Sequence, residues 1–312
     1  MKSLVGRSLL TLTDYTSEEI RYLLDLSHRV KKEHREGIRP ARFAGRSLAM
    51  IFEKRSTRTR AAFETAFGEE GGHPVFLSGQ DIQLGAKETI EDTARVLGRM
   101  FDIIEFRGFE QRAVEVLAEY SGVPVVNGLT NMFHPTQALA DLMTIEEHVG
   151  KLAGVRSVYI GDGQNNVSVS LMLGAVIMGM DHTVICPPER QPDPKYVTRA
   201  QEYAEKSGGS VAVSHDPNTI NRQTEVVYTD VWVSMGEEYR AEERMAPLRP
   251  FQVTGALMAR APKAVFLHCL PAVRGNEMTA EVIDGPQSRV FDQAENRKHT
   301  IKAVMLASLG LA

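Results

Sequence analysis

Ser47-Leu48-Ala49-Met50-Ile51-Phe52-Glu53-Lys54-Arg55-Ser56-Thr57-Arg58-Thr59-Arg60-Ala61-Ala62-Phe63-Glu64-Thr65-Ala66-Phe67-Gly68 reads as strand, polar turn and helix. The apolar run Ser47–Phe52 is long enough for one buried strand. After the turn, Ala61, Ala62, Phe63, Ala66 and Phe67 recur at helical spacing and stop at Gly68. Ser56 and Thr57 are helix N-cap types. A capped N-terminus leaves backbone N–H groups and the positive end of the helix dipole free for an anion. Arg58 and Arg60 add planar guanidinium forks that suit a phosphate. The stretch is not a Walker loop, because Gly-x-x-x-x-Gly-Lys-Ser/Thr is missing. The same residues also fit a capped surface helix with solvated arginines, and this stretch alone does not choose between the two.

Outward from it, the first half of the chain alternates. A helix over 16–34 has the start signal Thr16-Ser17-Glu18-Glu19 and a stripe of Ile20, Leu23, Leu24, Leu26 and Val30. Gly71-Gly72-His73-Pro74 reads as a turn and Val75–Leu77 as a short strand, followed by the exposed, glycine-rich loop 78–88. Helices at 89–100 and 111–120 frame a strand at 102–106, which ends at Arg107-Gly108, and a strand at 123–127 follows. Strand–helix alternation implies a mostly parallel sheet, with ligands beyond the carboxyl ends of its strands. Arg58 and Arg107 both follow such ends. His134-Pro135-Thr136-Gln137 opens a helix to about Val149, with proline favoured at the first helical position. His134 and Gln137 meet on one face of that first turn. They read either as a carbonyl donor and an amide binder or as helix-capping residues.

A second alternating series begins at Gly154. Strands at 157–160, 183–186, 210–213, 226–229 and 264–267 carry polar residues at their carboxyl ends, among them Asp230 and His268-Cys269. Gly161-Asp162-Gly163-Gln164-Asn165-Asn166 lacks the third glycine of a dinucleotide fingerprint, and the next strand ends in Cys-Pro-Pro rather than an acidic residue. No nucleotide cofactor is expected. The segment after Asp230, carrying the only tryptophan, reads as a substrate-closing loop or as a helix start with a buried indole. Cys269 beside His268 suggests nucleophilic catalysis, or a small buried hydrophobe. Arg289-Val290-Phe291 reads as a last strand and Asp292 as the start of the terminal helix.

The 312 residues exceed the size of a single core, so two domains are expected, 1–150 and 151–293, with a terminal helix at about 294–312 packing back on the first. The fold class is α/β: two doubly wound domains, each a mostly parallel sheet flanked by helices, joined by interdomain helices. A formal net charge of -4 gives no general pull toward nucleic acid or anionic membrane. No apolar run reaches membrane-span length, and Met1–Arg7 lacks a signal-peptide core. The two cysteines, Cys186 and Cys269, form no zinc-type pair. The expectation is a reduced, cytoplasmic protein without metal.

Four strings in this order resemble the aspartate/ornithine carbamoyltransferase superfamily, on its ornithine side. They are Ser56-Thr57-Arg58-Thr59-Arg60, His134-Pro135-Thr136-Gln137, Asp230-Val231-Trp232-Val233-Ser234-Met235-Gly236 and His268-Cys269-Leu270-Pro271. Asp92-Thr93-Ala94-Arg95-Val96-Leu97-Gly98 and Ala294-Glu295-Asn296-Arg297 also fit, and the resemblance spans nearly the whole chain. It implies transfer of a carbamoyl group from carbamoyl phosphate to L-ornithine, giving L-citrulline and phosphate in arginine biosynthesis or breakdown. Domain 1–150 then binds carbamoyl phosphate and 151–293 ornithine. By resemblance Ser56, Thr57, Arg58 and Thr59 hold the phosphate, and Gln83 reaches it from an adjacent subunit of a homotrimer or a multiple of trimers. Arg107 and His134 bridge phosphate and carbonyl, Gln137 orients the carbamoyl amide, and Arg297 contacts carbamoyl phosphate. Cys269 and the Leu270 carbonyl line the reacting centre, next to a cis Leu270–Pro271 bond. Asn166, Asp230, Ser234 and Met235 bind ornithine, with Asn166 chosen over the adjacent Asn165. The catalytic set is Arg107, His134, Asp230 and Cys269.

Overall fold

Strand β1 occupies Ser47–Phe52 in the computed structural model of the chain, which describes residues 3–79, 88–233 and 241–312. Leu48 through Phe52 are all buried, as a strand covered on both faces requires. It lies in the first of two compact units, Met1–Met143 with Glu295–Ala312; the second is Thr144–Ala294.

In the first unit β1 pairs in parallel with β2 (His73–Ser78) and β3 (Ile103–Arg107), and β3 with β4 (Val125–Leu129), in the order β2-β1-β3-β4. The helices are α1 (Ser17–Arg35), α2 (Thr57–Gly68), α3 (Ile90–Met100), α4 (Gln111–Tyr120) and the start of α5 (Pro135–Val149). Ala49, Ile51, Ile104 and Phe106 of the sheet pack with Ala94 of α3 and Ala113, Val114 and Leu117 of α4. A Cβ at Gly98 would strike the Ser121 carbonyl. Helix α3 therefore reaches the end of α4 only because that position has no side chain.

The second unit is a parallel sheet of β5 (Arg156–Ile160), β6 (Asp181–Ile185), β7 (Ser210–Ser214), β8 (Val226–Thr229) and β9 (Val265–His268), ordered β7-β6-β5-β8-β9. Helix α6 (Asn166–Ile177) is buried on every side from Val167 to Ile177, the environment demanded by a helix with no charged residue and apolar side chains all round. Helices α7 (Pro194–Ser207), α8 (Ala241–Leu248), α9 (Gly255–Met258) and α10 (Ala280–Ile283) follow, and α11 (Val290–Leu309) ends the chain's regular structure. No helix among the described residues is long and apolar enough to cross a membrane.

Two local expectations are corrected. His73 and Pro74 belong to β2, not to a turn. Strand β2 is the edge of its sheet, where proline's missing N–H costs little. The expected strand at 289–291 is a single bridge, Phe266 to Ser288. The Arg289 carbonyl then accepts the Gln293 N–H at 2.9 Å and opens α11. Phe291 is 68% exposed and Asp292 sits in the first turn, where its charge favours a helix.

One buried group makes the second unit acid-sensitive. His182 on β6 is buried, with Nδ1 at 2.8 Å from Ser157 Oγ and, among the described residues, no partner at Nε2. Burial lowers its pKa from 6.5 to about 3. The unfolded chain takes the proton that the folded chain refuses. The neutral histidine therefore costs nothing above its unfolded pKa, and stability falls by about 1.4 kcal/mol per pH unit below it. We expect His182→Gln to lose about 2 kcal/mol less than the parent between about pH 6.5 and 5, measured by urea unfolding. Equal acid losses in the two proteins would exclude this role.

Candidate active site

Helix α2 starts where its sequence says it should: Ser56 Oγ accepts the Thr59 N–H at 3.1 Å, and Thr57 is the first helical residue. This turns the Thr59 side chain inward, where it is fully buried. Its hydroxyl oxygen accepts from Arg107 Nη1 at 3.3 Å and from Arg297 Nη2 at 3.0 Å. Arg297 Nη1 also donates to Gln137 Oε1 at 2.9 Å, and Gln137 Nε2 donates to Asp141 Oδ1 at 2.8 Å. Two guanidiniums from β3 and α11 thus converge on one hydroxyl, and that of Arg297 also holds the carboxamide of α5. Asp141 belongs to no motif, and its place four residues after Gln137 on one helix face is the one local signal of this pairing.

His134 stands beside this cluster, buried, with Nδ1 at 3.4 Å from Thr136 Oγ1. Burial, with the charges of Arg297, Arg107 and Arg58, holds the imidazole well below its usual pKa. It is neutral near pH 7 and can donate from one ring nitrogen while accepting at the other. Arg58 is half-buried on the first turn of α2. Ser56 is half-buried and Thr57 exposed. Arg60, first read with Arg58 as a phosphate ligand, is engaged elsewhere. Its Nε donates to Glu64 at 2.9 Å and its guanidinium covers the Phe76 ring at 3.9 Å. An open depression of about 880 Å³, lined in part by Phe52, Arg55, Thr57, Arg60 and Phe76, flanks the turn on that side.

The second unit gathers its own set. Asp230 follows β8 directly and is buried. Its Oδ1 accepts from Cys269 Sγ at 3.0 Å and from the Val231 N–H at 2.8 Å. Oδ2 accepts from Asn165 Nδ2 at 2.9 Å. Asn165 also caps α6 by accepting the Val167 N–H at 2.7 Å. Asn165 rather than Asn166 therefore touches Asp230. Asn166 is the first residue of α6, half-buried, and its carbonyl accepts from Ser170. Trp232 is buried.

Cys269 and His268 do not form a nucleophile–base pair. The thiol donates to Asp230. His268 Nδ1 accepts the Leu270 N–H at 2.9 Å, which places the proton on Nε2, 3.2 Å from Glu277 Oε1. Glu277 Oε1 also accepts the Val273 N–H at 2.7 Å. Glu277, which no motif singled out, is buried and holds this turn from behind. Leu270 is half-buried, has φ 59°, and precedes a cis bond to Pro271, as expected. Asp230, His268 and Cys269 bring metal-ligand atom types within 4.8 Å of one another, but these hydrogen bonds occupy them within the protein. Gln83, Ser234 and Met235 lie outside the described residues.

The chain matches known proteins along nearly its whole length. Residues 7–147 match the family model for the aspartate/ornithine carbamoyltransferase carbamoyl-P binding domain, and residues 153–308 that for the Asp/Orn binding domain. An ornithine carbamoyltransferase of Thermotoga maritima is 60% identical over 309 residues, covering 98% of this chain and 99% of the relative. One of Caldanaerobacter subterraneus subsp. tengcongensis is 59% identical with the same coverage. The solved ornithine carbamoyltransferase of Pyrococcus furiosus, 49% identical, superposes with a TM-score of 0.96 over 99% of both chains. With both domains matched in order and relatives aligned from end to end, this chain belongs to the aspartate/ornithine carbamoyltransferase family.

Proposed function

We propose that this protein transfers the carbamoyl group of carbamoyl phosphate to the side-chain amine of L-ornithine, releasing L-citrulline and phosphate. The observation that carries this reading is the buried cluster of Thr59, Arg107, Gln137 and Arg297 beside a neutral His134. Buried cations call for an anion, and phosphate fits guanidinium forks. Ser56, Thr57 and Arg58 add the helix N-terminus to the same cradle. Gln137 orients the carbamoyl amide.

Attack of the amine makes a tetrahedral carbon whose oxygen gains negative charge. Donors set in advance at that oxygen are usually the largest catalytic term, and Arg107 and His134 supply them. The attacking nitrogen gives up one proton to the departing phosphate, the carbon–oxygen bond to phosphate breaks, and phosphate leaves with the negative charge that Arg58, Arg107 and Arg297 stabilise. An alkylammonium with a pKa of about 10.4 is mostly protonated at neutral pH, so the enzyme must hold the neutral amine. Asp230 and Cys269 orient it, and the carboxylate favours an acceptor bearing two amines over aspartate. Asn166, Ser234, Met235 and the Leu270 carbonyl complete the ornithine and carbamoyl contacts. The working form is a cytoplasmic homotrimer in which Gln83 reaches a neighbour's phosphate, a reading supported by the motifs it shares with the family.

A citrulline assay with ornithine, putrescine and aspartate tests the reading. We expect ornithine to exceed either rival by at least about 100-fold in kcat/KM, the scale on which a site built around a specific polar group discriminates. Equal use of putrescine or aspartate would overturn it.

A further inference from the structure

Glu105 has no part in the chemistry above, yet it lies under the cradle. It is on β3, two residues before Arg107, and its side chain is completely buried. Strand alternation puts the two on one face of the sheet. Opposite them β4 carries a bulge: Phe106 pairs with Asn127 and Arg107 with Leu129, leaving Gly128 as the extra residue. A Cβ at Gly128 would collide with Glu105 Oε1 and lie 3.2 Å from Thr59 Cγ2. The carboxyl thus fills the space that Gly128 leaves, beside the threonine on which both guanidiniums converge. Neither of its oxygens has a hydrogen-bond partner among the described residues.

The charged groups facing it are Arg107 from its own strand and Arg297 from α11. Helix α2 presents Thr59, β4 presents Gly128, and β1 presents Met50 in register. His134 feels the charges of these two guanidiniums and of Arg58. Burial raises the Glu105 carboxyl well above the usual carboxylate range, and the two arginines offset this only in part. An unpartnered, fully buried carboxylate is costly, whereas the neutral acid leaves both guanidiniums to an incoming anion.

We infer that Glu105 is a positioning residue that couples the phosphate cradle to a proton: the anion binds when Glu105 is protonated, and ionised Glu105 competes with it for Arg107 and Arg297. The inference rests on the reading that this cluster receives the phosphate of carbamoyl phosphate. No bond is made or broken; an ionised Glu105 takes one proton from solvent as the anion binds. Linkage makes the effect reciprocal, so rising pH weakens anion binding through the ionisation of Glu105.

Glu105→Gln, which keeps the shape and stays neutral, is the test. The ratio of kcat/KM for carbamoyl phosphate, parent over variant, cancels the ionisation of the substrates and of other groups. Between about pH 6 and 9 we expect this ratio to be flat at the acid end, then to fall by up to about tenfold per pH unit, the limit for one linked proton. A ratio constant over the whole range overturns the inference. Should the variant fail to fold, calorimetry of inorganic phosphate binding to the parent, in two buffers of different ionisation heat near pH 8, decides instead. Proton uptake by the protein is expected, and binding without uptake overturns the inference. If phosphate binds with uptake while no citrulline forms from ornithine, the assigned acceptor fails and Glu105's role stands. Absence of phosphate binding removes both.

Discussion

Arg58→Ala is expected to lower kcat/KM for carbamoyl phosphate by about 100- to 1,000-fold, the loss seen when one preorganised donor to a developing anion is removed. Arg58 lies on the first turn of α2, where the Ser56 cap exposes the N–H groups of the helix start. Its charge reaches His134, so it belongs to the field of the same cluster. Only half-buried, it can be truncated without opening a core cavity, and the thermal midpoint should move little. Arg60→Ala is the matched control. Arg60 sits two residues away on the same helix but is tied to Glu64 and Phe76, so its loss should leave kcat/KM within about threefold, as for an exposed ion pair of small worth. Retention of parental activity by Arg58→Ala, or an equal loss in Arg60→Ala, would remove Arg58 from the phosphate site.

Asp230→Asn carries the second large effect. Among the described residues, Cys269, Asn165 and the Val231 N–H all donate to the carboxylate oxygens of Asp230. An amide NH2 in place of one oxygen faces one of those donors, and the substitution also removes the charge proposed to hold the ornithine amine. A hydrogen bond to a charged group contributes about 1.5–3 kcal/mol, so kcat/KM for ornithine should drop by about 10- to 100-fold or more. KM for carbamoyl phosphate should change far less. Steady-state kinetics in which carbamoyl phosphate suffers the larger loss would reverse the assignment of Asp230.

The parts read correctly from sequence are those set by local chemistry. The bounds of β1 and β8 follow from short apolar runs. The Ser56 cap follows from a serine placed just before a helical stripe. The four-residue helices α9 and α10 are too short to show a period. The misread strand at 289–291 had the right apolar content, but a single bridge to β9 could not hold it against α11, which already begins at Val290. Among the site residues, Asp230 and Cys269 each read as a polar residue at a strand's carboxyl end, but they are 39 positions apart and nothing local links them. Their hydrogen bond is a fact of the sheet order that sets β8 next to β9. Glu277 and Glu105 belonged to no motif, and nothing local distinguishes them from solvated glutamates.

By itself the sequence determined the α/β class, the alternation of strand and helix, the positions of polar residues at strand ends, and the family. These depend on periodicity, capping and short strings, all of which act over a few residues. Tertiary structure alone decided that Arg107 and Arg297, far apart in the chain, share the hydroxyl of Thr59. It also decided that Asn165 rather than Asn166 meets Asp230, that His268 faces Glu277 instead of serving Cys269, and that Glu105 is sealed beneath a glycine bulge. The physical reason is that partner choice and desolvation are properties of packing. A side chain's charge state and hydrogen bonds depend on which distant residues exclude water from it.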